Sequence, residues 1–258
     1  MKKYTSTLMG LCLSLAALAQ EAVDFRLNLE IGKPLRIDMQ MKTDIADPQE
    51  AEMDMAITME MEMEMVSTNK EDGRFTIETT TKTIKMDINA GEMAVSYNSE
   101  EGPADDRIRV LGEQMQKLIG RTVVLVMTEK GETLNVELPE GFAGQGFDKT
   151  SFSSMATVFP SKPVLPGESW NAVTKTTDNH NPVFAKSDLV STYREESAEG
   201  YVVDIVGTIS DASENEVGTL SGYYVLDRET HFTKSSAIKT TIEVMGKKIT
   251  NTIALTVD

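Results

Sequence analysis

Met53-Asp54-Met55-Ala56-Ile57-Thr58-Met59-Glu60-Met61-Glu62-Met63-Glu64-Met65 is the stretch that decides the fold. Every odd position carries Met or Ile, and every even one carries Asp, Ala, Thr or Glu. Met and Glu are both good helix formers. In a helix, however, these methionines would scatter around the whole circumference, whereas a strand gathers them on one face. Periodicity overrides propensity, and the stretch reads as a strand of roughly 40 Å at about 3.3 Å per residue. Strands of that length belong to large curved sheets or half-barrels.

The same period of two runs outward in both directions. Upstream, Phe25, Leu27, Leu29 and Ile31 alternate with polar residues, and after a Gly32-Lys33-Pro34 turn so do Leu35, Ile37, Met39 and Met41. Downstream, Phe75 and Ile77 sit on odd positions but Ile84, Met86 and Ile88 on even ones. The parity flips between Thr79 and Thr83, which predicts a β-bulge and a bend in the sheet. One segment departs from the pattern. Ile108, Leu111, Met115, Leu118 and Ile119 recur at helical spacing, with Asp105 as a cap and Gly120 as a stop. Val123 to Met127 is apolar throughout. A strand buried on both faces needs cover, and the helix is expected to supply it.

From Pro139 to Pro166 the chain is rich in Gly, Ser and Pro. This predicts a long connection, with a short helix near Ser151 to Val158, acting as a lid or a crossover. Strands are expected again at Trp170–Thr176, Val183–Arg194, Tyr201–Ser210, Val217–Asp227, Phe232–Val244 and Lys248–Val257, the last two joined at Gly246-Lys247. The fold class is therefore mainly β: a large, curved, mostly antiparallel sheet or half-barrel with one covering helix. A single domain is expected over 20–258, with strands in 24–98, the helix at 105–119, strands in 121–138, the connection at 139–166 and strands in 170–257.

The first residues read as an address. A basic Met1-Lys2-Lys3, an apolar run from Leu8 to Leu18 and Ala17-Leu18-Ala19 before Gln20 make a secretory signal peptide. Cys12, the single cysteine, lies inside that run, which fits neither a lipid anchor nor a disulfide framework nor a Cys-based zinc site. No second apolar run is long enough for a membrane span. The 258 residues carry 25 Lys and Arg against 41 Asp and Glu, a net charge of −16. That balance argues against nucleic-acid partners and anionic membrane surfaces. The 40% hydrophobic content is enough for a sizeable core.

Phe25-Arg26-Leu27-Asn28-Leu29, the Met-alternating strands, Pro166-Gly167-Glu168-Ser169-Trp170 and Gly218…Gly222…Leu226-Asp227 together resemble an uncharacterised family of secreted bacterial β-rich envelope proteins. The likeness spans most of the chain after the signal peptide. It implies a half-barrel shaped like the periplasmic lipoprotein carriers, and it brings no functional residue with it.

The Met row has three readings: one face of a core, the lining of a cavity for a flexible apolar ligand such as an acyl chain, or a copper(I) site. Alternate strand residues start nearly 7 Å apart, roughly twice the rise per residue, which disfavours converging sulfurs. Glu60, Glu62 and Glu64 read as a solvated face rather than a calcium site, since a straight strand spreads its carboxylates. His180 and His231 both sit in turn sequences and read as exposed loop residues. Gly218 and Gly222 read as a bend or close packing within a strand. No hydrolase elbow, zinc-protease motif or phosphate-cradling loop is present.

The expected function is non-catalytic, without cofactor or metal. The protein would be secreted or periplasmic and bind a lipid or other apolar or amphipathic ligand in the curved sheet. Met55, Met59, Met61, Met63, Met86 and Trp170 are the candidate contacts. The rival is an envelope scaffold or protein-interaction module whose sheet is filled by its own side chains. Export has a direct check: N-terminal sequencing of the protein recovered from its host should begin at Gln20 or within a few residues of it, and an intact Met1 to Ala19 would contradict the reading.

Overall fold

The structure, a computed structural model, describes residues 21–47, 54–103, 105–139, 158–175 and 186–258. The signal segment, Met53, the short helix expected near Ser151 and the turn holding His180 lie outside these residues, as does most of the 139–166 connection.

Strands β1 (Pro34–Ala46), β2 (Met55–Glu71), β3 (Arg74–Ala90), β4 (Met93–Asn98) and β5 (Gly102–Pro103) come first. A 3-10 turn at Asp106–Ile108 leads into helix α1 (Arg109–Gln116). Then follow β6 (Thr122–Thr128), β7 (Thr133–Glu137), β8 (Ser169–Lys175), β9 (Lys186–Glu196), β10 (Tyr201–Ser210), β11 (Glu216–Leu226), β12 (Thr233–Val244) and β13 (Lys247–Val257). All belong to one 13-stranded sheet, ordered β5-β4-β3-β2-β1-β13-β12-β11-β10-β9-β8, with β6 and β7 branching from β3. Its ladders are antiparallel, as the hairpin-dense sequence requires.

The branch point is the parity flip. On β3, Thr81 faces Met63 and Thr83 faces Glu62, so Lys82 is the extra residue of a bulge. Before it β3 pairs with β6, and after it with β4. Thr81 still bonds to the β6 side, its carbonyl accepting from Gly120 at 2.8 Å, while Ile84 already exchanges bonds with Ser99 at 2.9 and 3.0 Å. The bulge changes both the direction of the strand and its partner.

Register sorts the two faces. The odd residues of β2 align with Leu35, Ile37, Met39 and Met41 of β1, and these with Val257, Leu255 and Ile253 of β13. One continuous row crosses the sheet: Tyr97, Met86, Met59, Met41, Ile253, Ile238, Gly222, Ile205, Ser191 and Trp170. This is the inner face. The other face carries the charges: Arg36 reaches Asp38 and Glu62 at 3.1 and 3.2 Å, and Lys82 reaches Glu64 at 2.9 Å.

Residues 24–31, expected as the first strand, form an extended strap that lies outside the ladders. Its alternation is nevertheless real: Phe25, Leu27 and Leu29 are buried and their neighbours are not. The strap also measures the curvature. Leu27 N–H donates to Glu129, just past β6, and Asn28 N–H donates to Thr230, between β11 and β12, at 2.8 and 2.9 Å. In a flat sheet five strand steps of about 4.8 Å would hold those turns some 24 Å apart. Adjacent residues reach both, so the sheet is strongly curled at this end.

The helix is shorter than expected and sits elsewhere. Asp105 does cap its 3-10 entry, accepting from Arg107 N–H at 2.8 Å, and Gly120 has φ +70° just past its end. The helix packs at the β4–β5 end, where Gln116 accepts from the Tyr97 hydroxyl at 2.9 Å. On β6 only Val123 and Met127 are fully buried, so the two-sided cover anticipated for that strand is not required. The β12–β13 turn is Met245-Gly246, both with positive φ, one residue earlier than expected.

Met59 is 9% exposed on the inner face while Glu60 is exposed on the outer one. Met59→Glu should cost about 3–5 kcal/mol of unfolding free energy, since it buries an unpaired charge. Glu60→Gln should stay within about 0.5 kcal/mol. Urea melts of the two variants check the assignment of faces, and equal effects would refute it.

Candidate functional site on the inner face

The inner face has two zones, and the strap divides them. At the strap end the chain fills itself. Phe25, with no exposed surface, stacks on Phe159 at 5.8 Å and meets Tyr193, Tyr201 and His231 edge-on at 5.4 to 5.5 Å. Trp170 completes the cluster 6.1 Å from Phe25. Its indole N–H donates to the Val158 carbonyl at 2.8 Å. Polar groups of the strap are matched in turn. Lys130 donates to Asp24 at 2.6 Å and to the Phe25 carbonyl at 2.8 Å, and Val23 forms a two-way bridge with Val164. Lys130, joined by Arg26, holds the Asp24 carboxyl below its ordinary range.

Away from the strap the inner face opens. Met39, Met41, Ile253, Leu255 and Ile238, on the adjacent strands β1, β13 and β12, are only half-buried. So are Ile45, Met55, Ile57, Ile242 and Ile249 farther from the strap. Register makes these neighbours, so they form a continuous apolar floor rather than scattered exposed residues. Across it runs one polar row, Thr43, Asn251 and Thr240, in which the Asn251 side-chain carbonyl has no hydrogen-bond partner. Packed flanks border the trough. On one side stand Met59, Met61, Met86 and Tyr97, and on the other Val203, Ile205 and Tyr224.

The sequence-derived contacts therefore fall in different surroundings. Met59 and Met86 are direct partners across β2 and β3, and Met61 and Met63 continue their flank, all buried. Met55 stands only partly buried at the open end. Trp170 closes the far end of the Met59 row within the aromatic cluster. Parity alone does not reveal the open floor of Met41, Ile238 and Ile253, because it assigns a face and not its cover. Gly222 matters to the shape: a Cβ there would lie 2.2 Å from the Ala237 carbonyl oxygen, so β11 and β12 approach closely where the sheet bends.

His231 is not the exposed loop residue that its turn sequence predicts. It is half-buried against Phe25 and Tyr201, with φ +52°. Its Nδ1 lies 3.0 Å from the Arg26 N–H and 2.9 Å from the Arg26 carbonyl oxygen. The neutral ring accepts from the first, and the protonated ring donates to the second. Burial pulls its pKa below the ordinary value, against the opposing pull of the Arg26 carbonyl and of Asp227 and Asp24.

Among the described residues no group of three His, Cys, Asp or Glu side chains gathers as a metal site, and no helix is long and apolar enough to cross a membrane. No family model matches the chain. No curated protein matches it by sequence. Solved structures align with it by shape. Lipovitellin, described for its lipid–protein interactions, aligns at a TM-score of 0.56 and 11% identity, over 90% of this chain and 25% of its own. The chain thus spans about a quarter of that protein, and the likeness is one of fold. The translocator domain of the autotransporter NalP from Neisseria meningitidis aligns at 0.37 with 6% identity, over 97% of this chain and 94% of its own. An outer membrane lipoprotein-sorting protein domain from Vibrio parahaemolyticus aligns at 0.28 with 9% identity, over 86% and 83%.

The strap carries a pH dependence. The unfolded chain protonates His231 near the ordinary value of about 6.5, and the folded chain does so at a lower pH. Between the two values the unfolded state holds more protons, so stability falls as pH drops through that window, with no contribution from this group above it. Asp24, whose pKa is lowered, loses its own contribution only at more acidic pH. His231→Asn, which tolerates the positive φ, should flatten the slope of melting temperature between pH 7 and 5 while leaving the acid limb intact.

Proposed function

We propose that the chain is an exported, non-catalytic protein that holds an apolar or amphipathic ligand, of the lipid class, in the trough of its inner face. The observation that carries this is the continuous, only partly buried apolar floor on β12, β13 and β1 between flanks that are buried. A sheet able to bury its strap end completely leaves this apolar area half-covered, and an acyl chain would cover it. The lining is adaptable: Met55 meets the ligand at the open end, while Met59, Met61, Met63 and Met86 form the wall behind. Trp170 reports on the packed end. The fold likeness to lipovitellin, a protein described by its lipid interactions, supports the same reading. The basic start, short apolar run and Ala-x-Ala pattern support export to the periplasm, the envelope or the exterior. The self-filled aromatic end is the observation that favours the rival, an envelope scaffold.

The two readings diverge under titration. At a hundredfold excess over Kd, fatty acid or phospholipid should raise the melting temperature by about 5–10 °C. Native mass spectrometry of protein from its own host should show a bound lipid. Ile253→Gln, at a partly buried site, should cost under about 1.5 kcal/mol yet abolish most of that shift. No shift with several lipid classes, together with a lipid-free native mass, leaves the scaffold.

A further inference from the structure

A separate opening lies under the strap, apart from the trough. It is a cleft of about 340 Å³ between the strap, the start of β1, the end of β2 and the turn between β11 and β12. Leu29, Leu35 and Met65 make its apolar part. Ser67 lines it too, and it is 2% exposed with a hydroxyl that has no hydrogen-bond partner. The Ser67 backbone is occupied, its carbonyl accepting from Gly32 N–H at 2.8 Å, so only the side chain is left unmatched. A buried polar group without a partner costs free energy, and native proteins seldom retain one without a reason.

The charges at this opening are unequal. Glu30 is paired with Lys33 at 3.6 Å. Glu229, which also lines the cleft, carries no ion pair among the described residues. Its backbone is fixed instead, the N–H donating to Asp227 at 3.0 Å. The Thr230 hydroxyl is committed to Asp227 and to the Phe232 N–H. Asn28, also in the lining, donates its side-chain amide to the Glu229 carbonyl at 3.5 Å. The charge left without a partner is therefore the Glu229 carboxylate, with the Ser67 hydroxyl, which can accept as well as donate, beside an apolar wall and in a chain of net charge −16.

We propose that this cleft binds a small amphipathic cation, a primary ammonium on a short apolar body. The ammonium donates to Ser67 and pairs with Glu229, and the apolar body lies on Leu29, Leu35 and Met65. An anionic head of the same size is rejected by the unpaired carboxylate. The site is independent of the trough, so absence of lipid binding there leaves it standing.

The probes are n-hexylammonium, hexanol and hexanoate, titrated into the mature full-length protein while methyl NMR signals of Leu29, Leu35 and Met65 are followed. Hexylammonium should give saturable shifts at these methyls, hexanol weaker ones and hexanoate none. Glu229→Gln should weaken hexylammonium binding about tenfold or more, as loss of a charged hydrogen bond does. Ser67→Ala should weaken it about fivefold. The same variant should melt no lower than the parent, because it removes an unmatched hydroxyl rather than a used one. Equal response to hexanoate and hexylammonium, or unchanged affinity in both variants, overturns the proposal. A marked fall in the melting point of Ser67→Ala also overturns it, since the hydroxyl would then serve the fold.

Discussion

The contact between Phe25 and both halves of the sheet is the constraint on which the rest of the structure depends. β6 branches from β3 in one half of the sheet and β8 ends the other half, yet Phe25 touches Trp170 on β8 while its carbonyl takes the Lys130 ammonium from just beyond β6. A buried phenylalanine is worth about 3–5 kcal/mol against alanine. That is too little to curl a sheet by itself, but enough to select the curled form once the strands can bend. The bends are supplied locally by the extra residue at Lys82 and by the side-chain-free backbone at Gly218 and Gly222, where β11 meets β12 closely. Aromatic packing then closes the end that those bends bring together.

The plug covers one end of the inner face only. Toward the other end the strands stay paired, and Ile45, Met55, Ile242 and Ile249 are only partly buried there. The outer face needs no cover because it is charged and laced with exposed pairs such as Lys82–Glu64, which add little stability but keep the face solvated. The strap thus makes a core at one end and leaves an apolar surface at the other.

Much of this was legible in the residues, and the illegible part has a physical reason. Alternation from Met55 to Met65 fixed the faces correctly, and the parity change between Thr79 and Thr83 located the bulge within one turn of its partner switch. The close strand packing at Gly218 and Gly222 was readable for the same local reason. Phe25 to Ile31 misled because alternation reports burial on one side, not hydrogen-bonding partners. An extended strap lying across a sheet end alternates as a strand does. His231 misled because a turn sequence says nothing of what folds over it, and the strap that half-buries it is some two hundred residues away in sequence. Helix α1 was visible from its period, but its place over β4 and β5 follows from the branching of β3, a long-range feature.

Residue type carries a further distinction within the trough. The β12–β13 side presents Ile238, Ile242, Ile249 and Ile253, whose branched side chains hold few rotamers. The β1–β2 side mixes Ile45 and Ile57 with Met39, Met41 and Met55, unbranched and soft. One wall is therefore stiffer than the other. A trough built for a single rigid molecule would gain affinity from stiff walls on both sides, since each ordered side chain costs entropy on binding. On the proposed function, a stiffer wall facing a softer one suits occupants of varying length and kink, as acyl chains are. The same softness lets the methionines close on one another where β2 and β3 pack tightly, which is why one residue type serves both the core beside the strap and the open floor beyond it.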